Sequence, residues 1–130
     1  MIRGVRGAVT IENNQEHEMI EATDLLVREM ISQNNIKPED VSSIFISVTE
    51  DLDAAFPAKA LRKIPGWVYV PVMCMREIPV PGSLPKCIRV MMHVETELAQ
   101  EKVQHVYLKE AVRLRPDLQQ SSGTQMSGQS

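Results

Sequence analysis

The sequence predicts an α+β (mixed α/β) domain in which four or five strands are combined with one long helix and several shorter ones. The chain has 130 residues, which is the usual size of one domain. Stretches of β-branched and alternating apolar residues, typical of strands, flank one long stretch with helical periodicity. Hydrophobic residues make up 43% of the chain and charged residues 24%, a balance that excludes a disordered protein.

The first predicted strand covers residues 2–11, with apolar residues sharing one of its faces. Arg6 lies on the other face and interrupts the apolar pattern. It stands between Gly4 and Gly7, which indicates a place where another group approaches the backbone closely.

A long amphipathic helix is predicted next, from a cap at Asn13 to about Gln33. Asn13 precedes Glu16 by three residues, as in a variant of the capping box. Apolar side chains then recur every three or four residues from Met19 to Ile31. This periodicity predicts a helix that packs one face against the sheet.

Shorter patterns predict the remaining elements. We expect strands over residues 43–49, 68–75, 87–95 and 105–108, and short helices over residues 56–62 and 100–104. Three prolines and a glycine between residues 79 and 85 predict a stiff loop. Residues 119–130 are nearly all Gln, Ser, Gly and Thr, so we expect a domain over residues 1–118 followed by a flexible tail.

Charge and cysteine content exclude several classes of function. The net charge of −3 argues against a nucleic-acid-binding protein, which normally has a basic surface. No apolar stretch is long enough to cross a membrane, and the first residues lack the apolar run of a signal peptide. Two cysteines are too few for a disulfide framework. We therefore expect a soluble protein of the cytoplasm.

Familiar catalytic motifs are absent from the sequence. The three histidines lack the spacing of metal ligands, and no phosphate-binding glycine loop or GxSxG motif is present. We therefore expect no metal and no cofactor. Cys74 and His93 are the one pair that could form a nucleophile and a base.

Arginines in otherwise apolar stretches are the distinctive polar feature. Arg6 and Arg89 lie within predicted strands, and Arg115 ends the last patterned segment. Each could be solvated or salt-bridged on an exposed sheet face. Together they could form a pocket for a polycarboxylate or a phosphate, because the planar guanidinium matches a carboxylate through two parallel hydrogen bonds. Glu77 could pair with Arg76 or with Arg89 in this region.

Six blocks along the chain resemble the monofunctional, barrel-like, trimeric class of chorismate mutases. They are IRGVRGA at 2–8, FPAKA at 56–60, GWVYVPV at 66–72, CIRVMM at 87–92, HVYL at 105–108 and LRPDL at 114–118. The resemblance implies a mixed five-stranded sheet in each subunit of a homotrimer that forms a pseudo α/β-barrel, with active sites between neighbouring subunits. It also implies the Claisen rearrangement of chorismate to prephenate in phenylalanine and tyrosine biosynthesis, without cofactor, metal or covalent intermediate.

The resemblance assigns roles to individual residues. It implies that Arg89 supplies the cation at the ether bond of chorismate that breaks. It also implies that Arg6 and Tyr107 bind the carboxylate on the enolpyruvyl side chain of chorismate. Glu77 and Cys74 are expected at the ring hydroxyl. The expected apolar wall consists of Phe56, Ala58, Val72 and Leu114, and the expected cations at the mouth are Lys59, Arg62 and Arg115.

One position departs from the family pattern. Met73 stands where the family commonly has Thr, so the substrate contact expected at this position either loses its hydroxyl or is made by the Met73 backbone. Two alternatives to an active mutase remain: a trimeric sensor that binds a dicarboxylate without converting it, and a deaminase or hydrolase of similar architecture.

Overall fold

A long helix covers one face of a mixed five-stranded sheet in the computed structural model, which describes residues 1–114. The strands and the helix are β1 (Ile2–Thr10), α1 (Glu16–Asn34), β2 (Val41–Val48), β3 (Val72–Arg76), β4 (Cys87–Glu95) and β5 (Val106–Leu108). Four 3-10 segments cover Pro38–Asp40, Pro57–Lys63, Gln100–Lys102 and Lys109–Leu114. The tail predicted over residues 119–130 lies outside the described residues.

The strands follow the order β3-β2-β4-β1-β5. The central strand β4 is antiparallel to both of its neighbours, β1 and β2. The outer pairs β1–β5 and β2–β3 are parallel. This topology confirms the mixed five-stranded sheet that the sequence and its resemblance predicted.

Alternation along β4 divides the sheet into two different faces. Ile88, Val90 and Met92 are buried in the main core beneath α1. Arg89 and Met91 alternate with them and lie on the face that α1 leaves uncovered. The predicted faces of this strand are therefore confirmed, and the uncovered face is where polar residues such as Arg89 gather.

Gly7 allows α1 to approach β1 closely. A Cβ atom built at this position would lie 2.5 Å from Met30 Sδ and 2.9 Å from Leu26 Cδ1. Both of these helix side chains are fully buried, so neither has free space into which it can move. The close approach predicted beside Arg6 is thus the contact between the helix and the strand.

The start of α1 differs from the prediction. The helix begins at Glu16, after Gln15 in an extended conformation, and Asn13 lies outside it. The backbone N–H of Gln15 donates to the Asn13 carbonyl, which forms a turn that delays the helix. As a result Glu18, and not Glu16, accepts a hydrogen bond from the backbone N–H of Asn13.

The strand predicted over residues 68–75 also begins later, at Val72. The backbone N–H groups of Trp67 and Val70 each donate to a carbonyl three residues earlier, so the segment before Pro71 coils through consecutive turns. Trp67 and Val70 are both buried in the core. Tertiary burial of these two side chains therefore outweighs the β propensity of the segment.

Asn34 connects the end of α1 to the segment that leads into β5. Its side-chain amide donates to the carbonyls of Met30 and Gln104 and accepts from the backbone N–H of Gln104, with distances of 2.8–2.9 Å. Asn34 is buried, so these bonds satisfy a side chain that would otherwise be costly to bury. They also fix the position from which β5 starts. No helix in residues 1–114 is long and apolar enough to span a membrane.

Replacing Gly7 with Ala should destabilise the fold by about 1–3 kcal/mol, because the added methyl group overpacks the contact with Met30 and Leu26. Urea unfolding at a fixed protein concentration measures this change. Gly4→Ala is the matched control on the same strand, since its Cβ would meet only Met91 Sδ at 3.2 Å. Equal stability of Gly7→Ala and the parent protein would contradict the close approach.

Candidate active site

A pocket of about 190 Å³ lies on the sheet face that α1 leaves uncovered. Four of the residues singled out from the sequence line it: Arg6, Glu77, Arg89 and Tyr107. They come from β1, from the position after β3, from β4 and from β5. The fold thus brings together residues that are up to about a hundred positions apart in the chain.

The strand register explains why these side chains converge. Ala8 on β1 pairs with Arg89 on β4 and with Tyr107 on β5. Side chains at paired positions lie on the same face of a sheet. Because Ala8 is small and buried between the two larger residues, its methyl group leaves space above β1 for the pocket.

An ion pair between Arg89 and Glu77 forms one side of the pocket. Arg89 Nε lies 3.3 Å from Glu77 Oε2, and the two side chains are 22% and 28% exposed. The backbone N–H of Glu77 donates to the Val48 carbonyl at 2.8 Å, which extends the β2–β3 pairing by one residue. Of the two partners that the sequence left open for Glu77, the structure selects Arg89.

The Tyr107 hydroxyl is buried and has no hydrogen-bond partner among residues 1–114. A buried polar group without a partner costs about 1–3 kcal/mol. An acceptor on a ligand in the pocket would recover this energy. The orphaned hydroxyl therefore favours a pocket that binds an oxygen-rich ligand.

Cys87 lies beside Arg89 at the base of this region and is fully buried. Burial raises the pKa of the Cys87 thiol, although the neighbouring Arg89 guanidinium opposes the shift. The thiol therefore stays protonated at neutral pH and is a poor nucleophile.

The other cysteine does not form the nucleophile–base pair that the sequence left open. Cys74 pairs with Ile46 and packs against the core on the helix side of the sheet. His93 lies on the uncovered face, where its Nδ1 is 3.1 Å from Ser43 Oγ. The two side chains lie on opposite faces, which is inconsistent with a Cys–His hydrolase.

His105 contacts the strand that carries Arg6. The backbone N–H of Arg6 donates to His105 Nδ1 at 3.0 Å, so this nitrogen is unprotonated and the ring proton is on Nε2. Partial burial lowers the pKa of His105, and the positive charge of Arg6 lowers it further. Both causes favour the neutral imidazole that the hydrogen bond requires.

A second group of predicted site residues lies elsewhere in the chain. Phe56, Lys59 and Cys74 line a separate cavity of about 540 Å³. Lys59 Nζ lies 2.7 Å from Glu16 Oε2, in an exposed ion pair that lowers the pKa of Glu16. Within one chain this group does not line the pocket that holds Arg89.

The remaining predicted site residues lie in different parts of the fold. Ala58 and Arg62 lie on the same 3-10 segment as Lys59, and Val72 packs against the main core. Leu114 packs against the small cluster that contains Ala8 and Tyr107. Met73 is 60% exposed and pairs with Phe45 on the uncovered side of the sheet. Arg115 lies outside the described residues.

Two polar side chains in or beside the pocket were missed by the sequence reasoning. Ser47 lines the pocket, and His105 contacts the backbone of Arg6. Alternation over residues 43–49 places Ser47 on the same face as Phe45, but nothing in the sequence identifies β4 as the neighbouring strand. No local signal identifies His105 either, because only the long-range pairing of β1 with β5 brings it to Arg6.

The described part of the chain contains no group of three His, Cys, Asp or Glu side chains that could hold a metal ion. The polar groups of the pocket that holds Arg89 are two guanidiniums, one carboxylate, a phenol and a serine hydroxyl. The two guanidiniums can bind an anion through paired hydrogen bonds, and the Glu77 carboxylate places one negative charge at a defined point in the pocket.

The fold and the pocket together define an α+β protein whose sheet presents an arginine-containing pocket with the chemistry to bind an anion. The chain matches the family model described as "Chorismate mutase type I" over residues 2–118, and it belongs to this family. It is 51% identical over 126 residues to chorismate mutase AroH of Bacillus subtilis, covering 97% of this chain and 99% of that protein. It is 48% identical over 120 residues to chorismate mutase AroH of Thermus thermophilus, covering 92% of this chain and 98% of that protein.

A solved structure gives the same result. The fold is similar to that of a chorismate mutase from Clostridium thermocellum, with a TM-score of 0.83 and 49% sequence identity. The match covers 85% of this chain and 98% of the solved chain.

The environment of His105 predicts a pH-dependent loss of stability. As pH falls below about 6.5, the histidine is protonated in the unfolded chain, whereas its lowered pKa resists protonation in the folded protein. Unfolding is therefore favoured progressively at acidic pH. His105→Asn keeps an acceptor near the Nδ1 position but does not titrate.

The measurement is urea unfolding of both proteins at pH 7.5, 6.5 and 5.5 and at one fixed concentration. We expect the stability of the parent protein relative to His105→Asn to decrease as pH falls. A difference that is the same at all three pH values would contradict the assigned hydrogen bond.

Proposed function

We propose that the protein is an active chorismate mutase that converts chorismate to prephenate. The observation that carries this proposal is the convergence of Arg6, Glu77, Arg89 and Tyr107 on one pocket in a member of this family. The reaction is a unimolecular rearrangement in which a C–O bond breaks while a C–C bond forms. It requires no nucleophile, metal or cofactor, but it requires a fixed substrate conformation and fixed charges.

Arg89 is proposed to stabilise the transition state. As the ether bond lengthens, its oxygen gains negative charge that is absent from the ground state. A positioned cation acts on this charge without reorganising, which contributes about 3–4 kcal/mol in a site that excludes water. Glu77 Oε2 lies 3.3 Å from Arg89 Nε, and this ion pair keeps the guanidinium beside the pocket.

Arg6 and Tyr107 are proposed to bind the side-chain carboxylate. Tyr107 offers a buried hydroxyl with no partner among residues 1–114, and Arg6 lines the same pocket from β1. Two donors on one carboxylate hold the flexible side chain over the ring. This restriction selects the chair-like conformation in which the two reacting carbons are close.

Glu77 is proposed to act on the ring. The ring gains positive charge as the ether oxygen gains negative charge, so a fixed carboxylate on the ring side lowers the energy of the transition state. Its oxygens also accept a hydrogen bond from the ring hydroxyl. A sensor that only binds a dicarboxylate gains nothing from an anion in its pocket, so retention of Glu77 beside Arg89 favours the enzyme.

We further propose that the protein is a homotrimer in which each active site is shared by two subunits. The predicted residues form two groups in separate cavities of one chain, around Arg89 and around Lys59. The uncovered sheet face carries Phe45, Met73 and Met75, which are 41%, 60% and 42% exposed. An apolar surface of this kind is typical of a protein–protein contact. A neighbouring copy would cover it and bring the second group to the first pocket.

The remaining site roles are proposals on the same basis. Phe56, Ala58, Val72 and Leu114 would provide the apolar wall, and Cys74 would contact the ring hydroxyl from the neighbouring subunit. Lys59, Arg62 and Arg115 would attract the dianionic substrate at the mouth. The cytoplasmic location also stays a proposal, supported by two cysteines that are not joined in a disulfide.

Replacing Arg89 with Lys should lower kcat by about a hundredfold or more, because a point charge cannot reproduce the two-pronged geometry of the guanidinium. Loss of the chorismate diene absorbance measures turnover. Arg113→Lys is the matched control, since Arg113 is 73% exposed and pairs with Glu110 outside the pocket. Near-normal turnover in a folded Arg89→Lys protein would remove Arg89 from the central role.

Mixing two inactive variants tests the shared site. Arg89→Ala removes the cation of one group, and Lys59→Glu reverses a charge in the other. After subunit exchange, random trimers should recover about a quarter of the parent sites, because some interfaces combine the intact half of each variant. Chorismate turnover before and after exchange is the measurement, with size-exclusion chromatography to verify assembly. No recovery in mixed trimers would place each site within one subunit.

A further inference from the structure

We propose that Ser47 is a positioning residue that holds the Glu77 carboxylate at a fixed position beside Arg89. This inference rests on the proposed function. Ser47 on β2 pairs directly with Arg89 on β4, so both side chains lie on the uncovered sheet face. Ser47 Oγ donates to Glu77 Oε2 at 3.1 Å. Arg89 Nε lies 3.3 Å from the same oxygen. Glu77 Oε2 therefore accepts a hydrogen bond from β2 and lies within ion-pair distance of a guanidinium on the adjacent strand β4.

The second carboxylate oxygen is held as well. Glu77 Oε1 accepts from the backbone N–H of Ile78 at 3.1 Å. The backbone N–H of Glu77 also donates to the Val48 carbonyl. Contacts therefore fix this residue at its backbone and at both carboxylate oxygens. Ser47 is the one side-chain hydroxyl in this set. Because it is short and half-buried on a strand, it defines the oxygen position with little conformational freedom of its own.

The chemical consequence follows from what remains when the hydroxyl is removed. Without Ser47, Oε2 keeps the contact with Arg89 but loses the donor that sets its rotation about the final side-chain bond. The carboxylate can then follow the guanidinium, and both charges lose their fixed positions relative to the substrate. Fixed charges matter most in the transition state, so the effect should fall on kcat more than on KM.

Ser43 provides a matched control on the same strand and face. It lies four residues before Ser47 and is also half-buried, but its hydroxyl contacts His93 and not the pocket. Ser43→Ala therefore removes the same atom from the same strand without touching Glu77. Ser47→Thr keeps a hydroxyl at the position that matters and serves as the conservative variant.

The first experiment compares kcat and KM for chorismate in the parent, Ser47→Ala, Ser47→Thr and Ser43→Ala proteins. We expect kcat of Ser47→Ala to fall about tenfold with KM changed less than twofold, as for loss of one hydrogen bond to a charged group. Ser47→Thr should recover most of the activity, and Ser43→Ala should match the parent. Equal kcat in Ser47→Ala and the parent would overturn the proposal.

A double-mutant cycle with Glu77→Gln tests whether Ser47 acts through Glu77. If it does, Ser47→Ala should lower kcat by less than about twofold in the Glu77→Gln background. An undiminished tenfold loss in that background would show a general structural role and would overturn the proposal.

A measurement without turnover separates this inference from the proposed function. The NMR signal of Arg89 Nε–H, assigned by its absence in Arg89→Lys, should shift in Ser47→Ala and stay in place in Ser43→Ala. If the parent protein does not convert chorismate, the proposed function fails, while the NMR comparison still decides the role of Ser47. An unchanged Arg89 signal in Ser47→Ala would overturn the positioning role.

Discussion

The register of β4 between β1 and β2 is the constraint on which the pocket depends. β4 pairs with both neighbours in antiparallel orientation, and this places Arg89 opposite Ala8 on one side and opposite Ser47 on the other. A slip of one residue would turn every side chain of the strand to the other face. It would bury Arg89 beneath α1 and turn both Ile88 and Val90 out of the core. The cost of that exchange in core burial protects the position of the Arg89 guanidinium.

The Arg89–Glu77 pair is better explained by chemistry than by stability. Both side chains are about three-quarters buried, and removing two charges from water offsets most of their mutual attraction. Apolar residues could fill the same space at little cost. In the proposed mechanism the pair keeps a cation and an anion at fixed positions within one pocket, where they would stabilise the charge separation that develops as the ether bond breaks.

The fold was largely predictable because its signals are local, whereas the site was predictable only in part. Alternation in residues 87–95 was sufficient to assign Arg89 to the face opposite the core. Strand partners are long-range, so neither Ser47 beside Glu77 nor His105 beside Arg6 could be deduced. The predicted helix cap at Asn13 was wrong for a local reason: the Gln15 N–H bonds to the Asn13 carbonyl in a turn, and the helix begins at Glu16.

The uncovered sheet face connects assembly with catalysis. Phe45 lines the pocket with Arg89 and is also 41% exposed, and Met75 lines both the pocket and the cavity that contains Lys59. In the proposed trimer, covering these apolar side chains would remove water from around Arg89 and Glu77. Charges in a less polar environment interact more strongly, so the same contact that stabilises the assembly would strengthen the transition-state interaction. In that trimer a chain of this size would enclose its active site with an identical neighbour and not with a second domain.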